Sequence, residues 1–169
     1  MIKKIRIPEE RLPVVIGSRG STRKELEKKT NTKIRVDDEI TITGEAVDVM
    51  TAENIVKAIS RGFSPKNALD LVNEENTLEI LELPKDERAL LRIRSRLIGT
   101  NGKSRRNLEM LTKTKISIYG KTVGVIGKYE SVHLAVDAIT RLVKGFSHKN
   151  VYAYLEHHQN DLAKNESEE

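Results

Sequence analysis

The sequence predicts an α+β fold in which one β-α-α-β-β-α unit occurs twice. The main observation is an internal repeat: Ile16–Val36 aligns without gaps to Ile98–Ile118, and 10 of the 21 aligned pairs are identical. After one additional loop residue the similarity continues, as far as Arg61–Ser64 against Lys144–Ser147. The second observation is that apolar residues alternate with the period of strands or recur with the period of helices in the same order in both copies.

In the first unit, the predicted elements are a strand at KKIRI, a helical stretch at EERLPVVIG, a helix at STRKELEKKT, strands at TKIRV and EITITG, and a long amphipathic helix at AVDVMTAENIVKAISRGF. Thr22 and Glu25 have the spacing of a capping box. Gly62 is placed to cap the long helix. We predict that Phe63 and its counterpart Phe146 are core residues.

The second unit repeats this order at TLEILEL, DERALLRIRSRLIG, KSRRNLEMLTKT, TKISIY, KTVGVIG and YESVHLAVDAITRLVKGF, with Gly145 as the helix cap. Between the units, SPKNALDLVNEEN predicts a short helix and a connector. The first domain is therefore predicted to span residues 1–74 and the second 75–169. SHKNVYAYLEHHQNDLAK predicts a C-terminal helix, and the acidic end NESEE is predicted to be disordered.

The composition limits the chemistry and suggests an acidic partner. The chain has a net charge of +5, and it contains no cysteine, which excludes disulfides, thiolate catalysis and cysteine-based zinc sites. No apolar run approaches the ~20 residues of a membrane-spanning helix, and MIKKIRIPEE has no signal-peptide pattern. We expect a cytoplasmic protein with no membrane partner.

The positive charge is concentrated in the second unit. Residues 1–74 contain 14 Lys and Arg against 12 Asp and Glu, whereas residues 85–149 contain 15 against 5. Nucleic acid is the commonest partner of such a basic segment. The second unit is therefore predicted to supply most of the electrostatic affinity.

Gly102-Lys103-Ser104 has the ending of a nucleotide-binding P-loop, but the rest of that motif is missing. The first glycine that the motif requires would fall on Leu97, and the preceding segment carries arginines where a buried strand is needed. We find no nucleophile–base set and no paired carboxylates, so a nucleotide hydrolase or a nuclease is disfavoured. No cofactor and no metal are predicted, since His157-His158 is interpreted as a solvent-facing pair.

Both units instead carry Gly-x-x-Gly between two helices, as Gly17-Ser18-Arg19-Gly20 and Gly99-Thr100-Asn101-Gly102. Glycines lack Cβ atoms, so a sugar-phosphate backbone can approach the main chain closely. The helix that follows offers free N–H groups and the positive end of its dipole to phosphates. This pattern predicts a pair of loops that bind the sugar-phosphate backbone of a nucleic acid.

With this loop and element order, the chain resembles the KH family of single-stranded RNA- and DNA-binding domains over nearly its whole length. The resemblance implies two tandem type I KH domains, each a three-stranded antiparallel sheet with helices on one face. It also implies that each loop clamps about four nucleotides. The implied RNA-binding residues are Ile98, Gly99, Thr100, Asn101, Gly102, Lys103, Ser104, Arg105, Arg106, Arg92, Arg96, Ile116 and Ile118 in the second unit, and Gly17, Ser18, Arg19, Gly20, Arg23 and Lys24 in the first.

Bases in a KH groove lie against aliphatic walls. Here the walls would be Val14, Val15, Ile16, Ile34 and Val36 in the first unit, and Leu97, Ile98, Ile116 and Ile118 in the second. The chain departs from the usual KH pattern at Arg23 and Arg105, where an aliphatic residue is common. Each arginine either covers the groove wall with its stem or contacts a phosphate or base edge, and we favour the contact.

The chain is also similar to a narrower group, the archaeal two-KH proteins related to the eukaryotic ribosome-assembly factor called partner of Nob one. That similarity implies binding near the 3′ end of 16S ribosomal RNA during maturation. The implied partners are single-stranded RNA, the endonuclease that trims this end and the archaeal initiation factor 2 α subunit. The alternative is a general KH-type regulator of messenger or small RNA. Whether the first unit binds RNA or protein is open.

Overall fold

The structure, a computed structural model, describes residues 1–168, except for the side chain of Leu162. The chain divides into two compact units, the first spanning Met1–Leu78 and the second beginning at Glu79. This division lies within a strand, a few residues after the boundary predicted from the sequence. The predicted domain limits, 1–74 and 75–169, stay a prediction.

The first unit begins with strand β1 (Ile2–Ile5), a 3₁₀ turn (Glu9–Arg11) and helices α1 (Leu12–Ile16) and α2 (Ser21–Thr30). Strands β2 (Lys33–Val36) and β3 (Ile40–Thr43) and helix α3 (Ala46–Ser60) follow. The connector is helix α4 (Pro65–Ala68) with a 3₁₀ turn (Leu69–Val72), as the sequence predicts. β3 lies between β1 and β2 and is antiparallel to both.

The second unit contains β4 (Asn76–Glu82), α5 (Glu87–Ile98), α6 (Lys103–Thr112), β5 (Lys115–Tyr119), β6 (Thr122–Lys128), α7 (Tyr129–Val143) and α8 (His148–Glu168). β6 lies between β4 and β5. The predicted order β-α-α-β-β-α and the two three-stranded antiparallel sheets are confirmed.

Each unit has its own core between one face of the sheet and the helices. In the first unit the buried apolar side chains include Ile34, Ile40 and Ile42 of the sheet, Val15 and Leu26 of α1 and α2, and Val49, Ile55 and Ile59 of α3. In the second unit the core includes Leu97, Leu108, Ile116, Val123, Val125, Ile139, Leu142, Val151 and Leu155. The two helices that flank each Gly-x-x-Gly loop are therefore fixed to the sheet by buried side chains.

The C-terminal helix α8 is longer than predicted and belongs to the second unit. Val151 and Leu155 of α8 are buried in the core of that unit. The end NESEE was predicted to be disordered, but the helix continues to Glu168, and Glu169 lies outside the described residues. No Gly or Pro follows Gly145, so nothing in the sequence interrupts a helix that begins with buried turns.

Among the local predictions, those for Phe146 and Thr22 are wrong, and those for Phe63, Gly62 and Gly145 are confirmed. Phe63 is buried at 2% exposure, but Phe146 is 47% exposed and is not a core residue. Thr22 does not cap α2, because the N-cap residue is Gly20 and no side chain bonds the first turn. Gly62 and Gly145 end the long helices with positive φ angles of 97° and 103°, as glycine caps do. Within the described residues, no helix is long and apolar enough to cross a membrane.

Candidate nucleic-acid interface

The two Gly-x-x-Gly loops have almost the same backbone conformation. The φ and ψ angles are 73° and 178° at Gly17, and 74° and 176° at Gly99. The third residue of each loop is left-handed, with φ of 54° at both Arg19 and Asn101. Residues other than glycine rarely adopt this conformation. Its occurrence at the same position of both loops shows that the two turns are built in the same way. Both loops thus present the same main-chain surface.

The two glycines of the second loop have different structural roles. A Cβ at Gly99 would lie 2.8 Å from the backbone nitrogen of Ser104, so the first glycine is required by packing against the start of α6. A Cβ at Gly102 would meet only guanidinium nitrogens, the nearest at 3.2 Å on Arg106. The sequence interpretation, that both glycines leave room for a phosphate backbone, therefore fits Gly102 better than Gly99.

The helices that follow the loops have free, positive N-terminal ends. Neither α2 nor α6 has a side-chain cap, and neither has an acidic residue in its first turn. By contrast, α3, α5 and α7 each carry an acidic residue in the first turn. Helices usually favour such acids there because they complement the dipole. Leaving them out of both loop helices keeps these ends open to an external anion.

The Arg105 guanidinium forms an ion pair within the protein. Its Nη1 lies 2.5 Å from Oε1 of Glu109, and Oε2 of Glu109 accepts a hydrogen bond from the backbone nitrogen of Ile116 at 3.0 Å. The first unit repeats this link, with Arg23 bonded to Glu27 at 2.7 Å and Glu27 to the nitrogen of Ile34 at 2.9 Å. In both copies the glutamate therefore connects the loop helix to the neighbouring strand, and the arginine holds that glutamate in place. Neither sequence interpretation included this role.

The exposed cations at the second loop are Lys103 and Arg106. The Nη1 of Arg106 donates to the carbonyl oxygen of Asn101 at 2.6 Å, which holds the guanidinium against the loop. Thr100 and Asn101 are themselves exposed. Within the part of the chain that the structure describes, neither Lys103 nor Arg106 has a carboxylate partner. Their charge is therefore available to a phosphate.

The two arginines predicted on α5 lie in different environments. Arg92 is exposed, together with Arg88 and Leu91 on the same side of the helix. Arg96 instead donates from Nη2 to the carbonyl oxygen of Phe146, at the corner between α7 and α8. Arg92 can reach a ligand directly, whereas one side of the Arg96 guanidinium is already used within the protein.

The predicted apolar walls are partly core. Val15, Ile34, Leu97 and Ile116 are almost fully buried, so their side chains cannot line an open groove. Val14, Ile16, Val36, Ile98 and Ile118 are half-buried and remain suitable as walls. The prediction that Ile116 contacts RNA through its side chain does not fit this burial, and neither does that for Ser104, which is 5% exposed.

Side chains of helix α8 form hydrogen bonds to the residues on either side of the second loop, contacts that the sequence did not predict. His148 lies with Nε2 2.9 Å from the carbonyl oxygen of Arg96 in the last turn of α5, so the ring nitrogen donates. One helical turn later, the Tyr152 hydroxyl donates to Oγ of Ser104 at 3.3 Å. Both flanks of the loop are thereby connected to α8. In the first unit, the chain after α3 forms only the short helix α4.

The first loop has fewer cations around it. Ser18, Arg19 and Lys24 are exposed, as the predicted contacts should be. The turn after β2 carries Asp37 and Asp38, both exposed, whereas the turn after β5 carries Gly120 and Lys121. The described residues hold no His, Asp and Glu cluster suited to a metal ion. His157, on the exposed side of α8, lies 3.5 Å from Asp161.

Two consecutive β-α-α-β-β-α units, each with an exposed Gly-x-x-Gly loop between its first two helices, define a tandem KH protein of type I. The family profile described as "Eukaryotic type KH-domain (KH-domain type I)" matches residues 74–160, and the profile "KH domain" matches residues 2–58. The chain therefore belongs to the KH family, within its archaeal group of PNO1- and Dim2-like proteins.

Several known proteins are similar to the chain. A KH domain-containing protein of Methanocaldococcus jannaschii is 38% identical, over 92% of this chain and 73% of its own length. The RNA-binding protein pno1 of Dictyostelium discoideum is 31% identical over 67% of this chain, and the chain spans only 49% of that protein. The chain in a solved structure titled as an a/eIF2alpha-aDim2p-rRNA complex from Pyrococcus horikoshii is 41% identical, with a TM-score of 0.89 over 95% of each chain.

Proposed function

We propose that this protein binds single-stranded RNA of the small ribosomal subunit and acts, without catalysis, in pre-rRNA maturation and ribosome assembly. The observation that carries the proposal is the second loop: an exposed turn at the uncapped start of α6, bordered by the unpaired Lys103 and Arg106. A helix start of this kind binds phosphate through its N–H groups and dipole. Relatives of the chain are named as RNA-binding and pre-rRNA-processing proteins.

The second unit is the principal RNA-binding unit in this proposal. Its loop is flanked by Arg92, Lys103 and Arg106, and the turn after β5 carries Lys121. The first unit carries Asp37 and Asp38 at the equivalent turn. Asp37 is paired with Arg35 at 2.7 Å, whereas the exposed Asp38 repels phosphate. The first unit therefore extends the RNA footprint weakly or docks a protein.

The proposed RNA is the 3′ end region of 16S rRNA, and the proposed protein partners are the endonuclease that trims it and the archaeal initiation factor 2 α subunit. The support for the factor is the Pyrococcus complex, whose title contains a/eIF2alpha and rRNA together with a protein similar to this chain. A protein with these partners acts in the cytoplasm. The absence of catalysis is part of the proposal, because a KH loop holds RNA without reacting with it.

The direct test places negative charge on the second loop without changing its glycines. Thr100→Asp with Asn101→Asp adds two carboxylates to exposed positions. Each costs about 1 kcal/mol at ~4 Å from a phosphate in a water-like dielectric. We expect the affinity for an unpaired oligoribonucleotide with the 16S 3′ sequence to fall at least tenfold in fluorescence anisotropy.

The control is the equivalent pair in the first unit, Ser18→Asp with Arg19→Asp, in a loop of the same conformation. Because it also removes the Arg19 guanidinium, its charge change of −3 is larger than the −2 of the second-loop variant. It is expected to weaken binding much less. Unchanged binding by the second-loop variant, with the fold intact by circular dichroism, would contradict the assignment of this loop.

The choice of RNA is tested in cells. Ultraviolet crosslinking followed by sequencing of the bound RNA should enrich the 3′ end of precursor 16S rRNA over the rest of the transcript. Enrichment spread over unrelated messages would contradict the role in ribosome assembly and favour a general RNA regulator. A magnesium-dependent cleavage assay with purified protein checks the absence of catalysis.

A further inference from the structure

Phe146 is exposed at a position where the repeat predicts a buried side chain. It follows α7 in the sequence KGFS, just as Phe63 follows α3 in RGFS. Phe63 is 2% exposed and Phe146 is 47% exposed. The backbone is the same in both places, since Phe63 N bonds Ala58 O and Phe146 N bonds Arg141 O, at 3.1 and 3.0 Å. The Phe146 side chain is thus about half exposed, although its backbone makes the same helix-end hydrogen bond as that of Phe63.

The Phe146 corner, residues 144–149, is attached to the second loop. Arg96 donates from Nη2 to the carbonyl oxygen of Phe146, and the ring of His148 donates back to the carbonyl oxygen of Arg96 at 2.9 Å. Arg96 stands one helical turn before Gly99, which is about 5 Å along the axis of α5. The Phe146 corner therefore lies at the same end of α5 as the second loop.

The corner carries positive charge without neighbouring acids. Lys144 and Lys149 are exposed. The sequence has no Asp or Glu from Ala138 through Leu155. Within the described residues, neither lysine forms an ion pair with a carboxylate. An exposed aromatic ring with a cation two residues before it and another three residues after it offers a stacking face to a base and positive charge to the neighbouring phosphates.

We propose that Phe146 is a stacking platform for one base of the single strand held by the second loop, with Lys144 and Lys149 contacting the adjacent phosphates. This site rests on the proposed RNA binding and extends it beyond the Gly-x-x-Gly loop. A single strand is favoured over a protein for three reasons: exposed lysines precede and follow Phe146 in the sequence, Arg96 bonds the Phe146 carbonyl next to the loop, and residues 144–149 contain no second exposed apolar side chain.

The absence of tryptophan gives a direct probe. Phe146→Trp places the single indole of the chain at the proposed platform, where it can be excited separately from the four tyrosines, and a stacked base quenches indole emission. We expect the emission to be quenched on titration with an unpaired oligoribonucleotide of the 16S 3′ sequence. Heparin, which supplies negative charge without bases, should leave it nearly unchanged.

The matched control is Tyr129→Trp. Tyr129 is an aromatic of the same unit, 73% exposed at the other end of α7, more than about 20 Å away along that helix. Its tryptophan is expected to stay silent when the same RNA is added. Quenching at both positions would mean a non-specific effect of RNA and would overturn the platform.

Affinity gives the second measurement. Phe146→Ala should weaken RNA binding about 5- to 150-fold, the range measured for removing one stacked aromatic, whereas Phe146→Tyr should retain it. Tyr129→Ala should bind as the parent does. The substituted residues are on the surface, so the variants should melt at the parent temperature. If Phe146→Ala does not fold, the RNA affinities of Phe146→Tyr and Phe146→Ser are compared instead.

The outcomes separate this site from the proposed function. If the parent binds RNA and the Thr100→Asp, Asn101→Asp variant does not, but Phe146→Ala binds as the parent, the platform is overturned and the function stands. If the parent itself does not bind RNA, the proposed function fails. A tryptophan at position 146 that responds to purified initiation factor 2 α subunit and not to RNA would make the corner a protein contact and overturn the proposal.

Discussion

Gly99 packs directly against Ser104, so that a Cβ on Gly99 would lie 2.8 Å from both the backbone nitrogen and the Cβ of Ser104. Its backbone angles, φ 74° and ψ 176°, fall in a region that essentially only glycine occupies. The first glycine of the loop is thus an internal packing residue, and the second supplies the left-handed turn into α6.

These two roles predict different costs for the same substitution. Gly99→Ala should lower the free energy of unfolding by about 3 kcal/mol, because backbone strain and the collision with α6 act together. Gly102→Ala should cost about 1 kcal/mol, the penalty of a left-handed alanine. Urea denaturation followed by circular dichroism measures both. Equal costs at the two positions would contradict the packing role of Gly99.

Substituting the cations beside the second loop should change the salt dependence of RNA affinity by different amounts. For single strands, log affinity falls with log salt by about 0.7 per neutralised phosphate. Lys103→Gln and Arg106→Gln should each reduce this slope by about 0.7, because both side chains are exposed and lack carboxylate partners in the described chain. Titrations at several salt concentrations give the slope.

Arg105→Gln is the internal comparison for that series. The Arg105 guanidinium is 2.5 Å from Glu109, so its charge is already balanced and the slope should stay close to that of the parent. The variant should instead lose about 0.5 kcal/mol of stability, the value of an i,i+4 ion pair on a helix. A reduction of the slope by about 0.7 in Arg105→Gln would instead show that Arg105 contacts a phosphate.

The repeat and its periodicity predicted the element order, the two sheets and the position of both loops, because these depend on local spacing. The Thr-x-Thr sequence of the repeat forms a buried hydrogen bond between two hydroxyl groups in both copies. The Oγ1 atoms are 2.7 Å apart in Thr30 and Thr32, and 2.7 Å apart in Thr112 and Thr114. Identical residues at equivalent places here make identical local bonds. Local chemistry of this kind is transferable from one copy to the other.

Long-range contacts were not predictable in this way. Phe63 and Phe146 stand in nearly identical sequences, yet one is buried and the other exposed. Burial depends on which elements pack over the ring, and these differ, since α4 has only four residues and α8 extends to Glu168. The bond from Arg96 to Phe146 joins residues 50 apart, and no spacing rule gives such a pair.

Tyr154 of α8, which bonds Asp137 of α7, predicts a pH dependence of stability. The hydrogen bond from the Tyr154 hydroxyl to Asp137, and then partial burial, raise the pKa of Tyr154 above its ordinary 10.0. With rising pH the unfolded chain therefore loses this proton first, so the stability that the neutral tyrosine contributes is complete below pH 10 and declines above it.

Tyr154→Phe is the measurement that isolates this effect. The difference in unfolding free energy between the parent and Tyr154→Phe should shrink as the pH rises past 10, because lysines and the other tyrosines titrate equally in both proteins. Urea denaturation at pH values on either side of 10 measures the difference. A difference that stays constant through this range would contradict the role of the Asp137 bond.

His148 should couple α8 to the second loop through one hydrogen bond. Its Nε2 donates to the Arg96 carbonyl in the last turn of α5, immediately before the loop. His148→Ala should lower the free energy of unfolding by about 1 kcal/mol, since it leaves this carbonyl without its side-chain donor. It should also weaken RNA binding a few-fold, because the turn that carries Gly99 is less restrained. His148→Gln restores an amide donor at similar reach and should recover most of both losses. If Gln and Ala behave alike in both assays, the hydrogen bond is not what holds the loop.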